Sequence, residues 1–230
     1  MLLAASLLLR YALPSPADLG PEMRNEPVQE PTQAAPFRAT VRDITYTINP
    51  VAHYEIWGLV VSKHDSGAWW DWIHRASNDH LNVVDLCLVF AENVSSGGYV
   101  GLDYSSGQFV CNVQTRSAEK WQRFSIRALS NNHLLADSPS MVAKLRDVQI
   151  GDQVRIRGLL SEYAHNHGFA FKRGTSLTRD DTGNGACETI YVQEVEVLRA
   201  GGGPWRWLPW PAIGLVLAGV IVWLRAPLRG

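Results

Sequence analysis

Cysteine is scarce in this 230-residue chain: Cys87, Cys111 and Cys187 are the complete set. Three are too few for a disulfide scaffold, and no CxxC is present, which excludes zinc-ribbon and thioredoxin patterns. No GxSxG elbow and no HExxH spacing occur, so two familiar hydrolase signatures are missing. An excess of one charge is missing too. Lys and Arg number 21 against 22 Asp and Glu, for a formal net charge of −1. Nucleic-acid binding rests on several phosphate contacts, so this balance argues against it. There is no internal repeat.

Trp is abundant instead, with nine residues, several of them near the C-terminus. From Leu208 to Leu224 the sequence LPWPAIGLVLAGVIVWL carries no charge. A run of about 17–20 apolar residues is near the length of a bilayer-crossing helix. Residues 207–225 are therefore expected to form a transmembrane helix, with interfacial Trp205, Trp207, Trp210 and Trp223 and with Arg225 at the headgroups. Residues 226–230 are then a short tail. At the other end, MLLAASLLL and the small-x-small triplet Ser15-Pro16-Ala17 read as the remainder of a signal peptide over residues 1–17. That places the domain outside the cytoplasm, in a cell envelope; the alternative is a tail-anchored cytoplasmic domain. Residues 18–44 are rich in Pro, Glu and Gln and are expected to be a flexible linker. Residues 200–206 hold three consecutive glycines and are expected to be a hinge.

Residues 45–199 remain as one domain dominated by strand signals. Tyr54–Ser62 is β-branched and aromatic around Gly58, Val83–Phe90 is a buried-type run, and residues 108–115 alternate as a half-buried strand does. A helix is expected from Ser138 to Arg146, with Pro139 in its first turn. Gly151-Asp152 turns into VRIRG, and Thr189–Leu198 is a last strand with a phase slip near Gln193 that suggests a bulge. Three strands, a helix and two strands, with glycine inside the first strand and GDxVxIxG after the helix, resemble an OB-fold. The resemblance spans Tyr46 to Leu198 and implies a mainly β, five-stranded barrel with long loop insertions at 63–82, 117–137 and 164–186. It implies no activity.

Two of those insertions fall where an OB-fold binds its ligand. Trp69, Trp70 and Trp72 offer stacking faces in the strand 1–2 loop, and Lys172, Arg173 and Arg179 offer cationic donors in the strand 4–5 loop. The expected function is thus a membrane-anchored binding or scaffold module that contacts a protein or glycan, with the bilayer as a second partner. The alternative is a membrane-anchored hydrolase that uses the 173–188 loop, with His133, Asp180 and Cys187 as its catalytic residues. Asp180, Thr182, Asn184 and Glu188 resemble the start of a calcium loop, but Tyr191 stands where the closing Glu belongs. No cofactor is expected beyond that calcium candidate. His64, His74 and His80 share a loop with Asp65, Asp71 and Asp79, and His165 brackets Asn166 with His167, all without a metal-motif spacing. Cys87, inside its apolar run, is expected to be a buried thiol, which leaves Cys111 and Cys187 as the expected disulfide.

Overall fold

The computed structural model describes residues 2–178 and 187–225. Its ten strands are β1 (Val28–Pro31), β2 (Phe37–Val41), β3 (Ile44–Asp65), β4 (Asn82–Val89), β5 (Asp103–Gly107), β6 (Val110–Gln114), β7 (Leu129–Leu135), β8 (Gln153–His165), β9 (Phe171–Arg173) and β10 (Glu188–Arg199). The α-helices are α1 (Leu2–Leu9), α2 (Ile73–Ala76), α3 (Ala91–Ser95), α4 (Ala118–Arg123), α5 (Pro139–Asp147) and α6 (Pro209–Arg225).

Five strands close on themselves. β3 pairs with β4, β4 with β7, β7 with β10, β10 with β8, and β8 again with β3. Only the β7–β10 contact in this ring is parallel. The interior is apolar: Ile56, Val60, Val84, Leu86, Leu88, Leu134, Val154, Ile156, Leu160 and Ile190 form one buried cluster. Helix α5 joins it through Leu145. Ser138 Oγ caps that helix by accepting the Met141 N–H at 3.3 Å, and Pro139 fills the first turn. Gly58 is needed for closeness: a Cβ there would stand 2.9 Å from Leu88 Cβ on the adjacent strand β4. The bulge expected near Gln193 is present as a register shift between Val192 and Glu194.

Four expectations change. The alternating stretch at residues 108–115 does not join the ring; among the described residues β6 pairs only with β5, in a separate hairpin. The ring takes β7 instead, a segment whose paired asparagines suggest a turn. Its side chains are nonetheless buried from Ser130 to Leu135: Leu134 packs in the ring interior and Leu135 in a further cluster with Tyr46 and Tyr163. The expected linker is ordered. β2 pairs with β3 at Ile44–Ile48 and β1 pairs with it at Ala52–Glu55, and Leu19 and Met23 insert into a second core on the outer face of the ring. The glycine hinge is pinned, because the buried Asp152 accepts from Gly201 N–H at 2.8 Å and pairs with Arg206. Gly201 serves close approach there, since its Cβ would meet the Gly151 backbone at 2.3 Å.

The cysteines also pair differently. Cys87 on β4 is bridged to Cys111 on β6, with Cα atoms 5.8 Å apart, and Cys187 is free. The hairpin lies over the outer face of β4 and brings Cys111 to Cys87, whereas Cys187 precedes β10 at the far edge of β7. At the C-terminus, α6 is 17 residues long, about 25 Å at 1.5 Å per residue against a hydrocarbon core of about 30 Å. Among the described residues no helix is long and apolar enough to cross a membrane, so the transmembrane helix expected at residues 207–225 is not found.

Candidate functional site

The outer face of β4 carries the chemistry. Val84, Leu86 and Leu88 enter the interior while Cys87 and Val89 join the outer core. By the period of two, Asp85 faces outward with Cys87. Its cross-strand partner on β7 is His133, which sits beside Thr189 of β10. The β5–β6 turn closes over both. Phe109 in that turn has φ 66°, a conformation that costs a non-glycine residue on the order of 1–3 kcal/mol. Two hydrogen bonds hold it: its N–H donates to Asp85 Oδ2 at 3.3 Å and its carbonyl accepts from Asn131 Nδ2 at 3.2 Å.

Asp85 and His133 are both fully buried, and His133 Nδ1–H donates to Asp85 Oδ1 at 2.6 Å. Asn82 Nδ2 gives the same oxygen a second bond at 2.8 Å. Burial pushes the Asp85 carboxyl up, but the His133 charge and these bonds outweigh it and bring the group down to about 2. Burial likewise pulls His133 down, and the Asp85 carboxylate, with a hydrogen bond to Cys187, carries it up to about 9. Cys187 also accepts from Asn131 Nδ2 at 3.6 Å. Arg173 completes the group: Nη2 lies 2.8 Å from His133 Nε2, and the guanidinium stacks 3.8 Å above the Phe109 ring. A guanidinium donates to Nε2 only when that nitrogen is bare. Protonation of the ring therefore drives Arg173 off Nε2, and the two arrangements are alternatives.

A second carboxylate–imidazole group lies next to the first. His64 at the end of β3, Asp71 in the loop and His74 on α2 are 2%, 0% and 1% exposed. Asp71 Oδ2 accepts from His64 Nε2 at 2.6 Å and from His74 Nδ1 at 2.5 Å. Asp71 Oδ1 takes the His74 backbone N–H at 3.0 Å. Burial works against the Asp71 charge, and the two histidines overcome it and hold the carboxyl below its ordinary range. Asn82 links the groups by donating both to His74 Nε2 at 3.0 Å and to Asp85.

Of the expected binding residues, Trp69, Trp70 and Trp72 are 85%, 48% and 65% exposed. Trp70 touches His64 edge-on. The strand 1–2 and strand 4–5 loops do converge, but on Phe109, whose ring lies 4.1 Å from His74 and beneath Arg173. Lys172 points elsewhere and pairs with Glu162 at 2.8 Å. Arg179, Asp180, Thr182 and Asn184 lie outside the described residues. Glu188, the remaining calcium candidate, is buried on β10 opposite Asn132. His80 contacts Arg42, and His165 contacts the Ser77 carbonyl, so neither joins the histidine cluster. His167 lies 4.0 Å from the Asp43 carboxylate. Asp65 caps the Gly67 N–H, and Asp79 accepts from the Tyr163 hydroxyl at 2.6 Å.

Sequence reasoning missed Asp85, Asn82 and Phe109. The signal for Asp85 was present, since a carboxylate in the middle of VVDLCLVF must have a buried partner. No family model, curated protein or solved structure matches the chain.

Proposed function

We propose that the domain is a thiol-dependent acyl hydrolase or acyltransferase with Cys187 as nucleophile, His133 as proton carrier and Asp85 as the group that orients the ring. The observation that carries this reading is the Asp85–His133 pair with the sulfur of Cys187 at its open edge. Asp85 replaces Asp180 as the acidic member expected from sequence. In the reaction, Sγ bonds to a carbonyl carbon, and the thiol proton passes to His133 Nε2 and then to the leaving group as its bond breaks. Water then attacks the thioester carbonyl with His133 taking its proton, and the C–S bond breaks as that proton returns to Sγ. Arg173, displaced from Nε2 by the proton, becomes free to meet the oxyanion or an anionic leaving group. The Cys87–Cys111 bridge supports placement in an oxidising compartment and leaves Cys187 no intramolecular partner.

The test uses the full chain in detergent with p-nitrophenyl acetate and iodoacetamide. Expected are a burst of about one nitrophenolate per chain and alkylation at Cys187, both abolished in Cys187→Ala. The acylation rate should fall about 10²–10⁴-fold in His133→Gln. Equal rates in His133→Gln and wild type overturn the assignment.

The accompanying fold reading is an OB-like barrel, supported by the five-strand ring and by α5 lying between its third and fourth strands in sequence. α6 carries exposed apolar side chains, with Leu215, Val222, Trp223 and Leu224 each roughly 70% exposed, on which it would lie at a bilayer surface without crossing it. Deleting residues 207–230 should then release a soluble, folded domain. A second reading, the binding module for a protein or glycan, is favoured by the three exposed tryptophans alone. Loss of partner capture in Trp69→Ala with an unchanged acylation burst would show that both activities coexist.

A further inference from the structure

We propose that His64, Asp71 and His74 form a site for one divalent transition-metal ion, of the zinc class, independent of the thiol centre. The donor atoms, His64 Nε2, Asp71 Oδ2 and His74 Nδ1, lie within 4.8 Å of one another, and all three side chains are buried. Two imidazole nitrogens and one carboxylate oxygen are a set that zinc and its neighbours accept, with the remaining coordination positions open to water or substrate.

Three features of the loop call for an ion. The first is its inverted burial. Between residues 64 and 74 the polar His64, Asp71 and His74 turn inward while Trp69, Trp70 and Trp72 stay out in solvent. The usual preference for burial runs the other way, so something inside must hold the polar groups. The second is convergence. His64 Nε2 and His74 Nδ1 both point at Asp71 Oδ2, at 2.6 and 2.5 Å, so a divalent cation at that focus would meet two imidazoles and a carboxylate together. The third is the proton inventory. Asn82 Nδ2 donates to His74 Nε2, so the metal-free ring carries its proton on Nδ1, towards Asp71. His64 Nε2 must also carry one, which leaves its buried Nδ1 without a partner. A metal ion replaces both inward protons.

The experiment uses the full chain in detergent, stripped with chelator and titrated with Co²⁺ and Zn²⁺. Expected are about one metal per chain after dialysis, a cobalt d–d spectrum without thiolate charge transfer, and a higher Tm with Zn²⁺. Asp71→Asn and His64→Gln should each lower affinity at least about tenfold, while His80→Gln and Cys187→Ala retain it. If the ligand variants fail to fold, the wild-type chain together with His80→Gln and Cys187→Ala decides. Absence of retained metal overturns the site, as does equal binding in Asp71→Asn or a thiolate–cobalt band. Loss of metal in Cys187→Ala does so too. Because the acylation burst is read separately, failure here leaves the thiol reading standing, and the reverse also holds.

Discussion

Asp71 and Asp85 are two fully buried carboxylates, each held by imidazole and joined through one asparagine, yet their surroundings direct them to different chemistry. Asp71 faces two histidines that both point at the same oxygen. Asp85 faces one histidine, whose other edge meets a thiol and a guanidinium. The first arrangement focuses three donors on a point; the second polarises one ring from end to end. What surrounds a carboxylate–histidine pair, more than the pair itself, decides whether it holds a cation or moves a proton.

The largest expected effect separates the two in stability. Asp85→Asn leaves His133 buried without its counter-charge and should cost about 3–5 kcal/mol in denaturant unfolding. Metal-free Asp71→Asn keeps one amide oxygen to accept the imidazole protons and should cost less, about 1.5–3 kcal/mol for the one charge-assisted bond it cannot replace. Equal losses would erase the contrast.

The pH dependence sharpens it. His133 is raised from 6.5 to about 9 in the folded chain, so its contribution is full below 6.5 and is lost as pH rises through 9. Asp85 is lowered from 3.8 to about 2, so its contribution is full above 3.8 and is lost as pH falls through 2. Unfolding free energy should therefore fall by on the order of 3 kcal/mol between pH 6.5 and 9.5. That slope should vanish in His133→Gln; a slope that survives would show that other groups titrate.

A smaller effect concerns Arg173, whose charge works against protonation of His133. Arg173→Gln should raise the midpoint of the His133 titration, read from imidazole NMR shifts against pH; a lowered midpoint would contradict the alternation between proton and guanidinium. The smallest effect is expected at Trp69, 85% exposed. Trp69→Ala should change stability by no more than about 0.5 kcal/mol, and a larger loss would mean that the ring closes the fold.

The two halves of the thiol centre were unequally visible in the sequence. Cys187, His133 and Arg173 stood in polar, turn-rich stretches where such residues invite attention. Asp85 sat in an apolar run, and β7 was hidden because SNNHLL carries turn-forming asparagines. Those asparagines are buried because they serve other groups: Asn131 bonds the Phe109 carbonyl and Cys187, and Asn132 bonds the Leu86 carbonyl. The cysteine pairing was hidden in the same way, since spacing along the chain says nothing about which hairpin lies over which strand.

Sequence alone determined the features that local chemistry controls. Pro139 and Ser138 set the start of α5, the phase slip at Gln193 marked a bulge, and the uncharged C-terminal run made a helix. Tertiary structure decided the rest: that β7 and not β6 enters the ring, that residues 18–44 pack, and that Cys87 finds Cys111. It also brought Asp85, His133, Arg173 and Cys187 together from four separate segments. Capping, bulges and apolar runs are short-range effects written in neighbouring residues. Strand partners and buried charge pairs are chosen by long-range closure, where each group is satisfied only by what the rest of the chain carries to it.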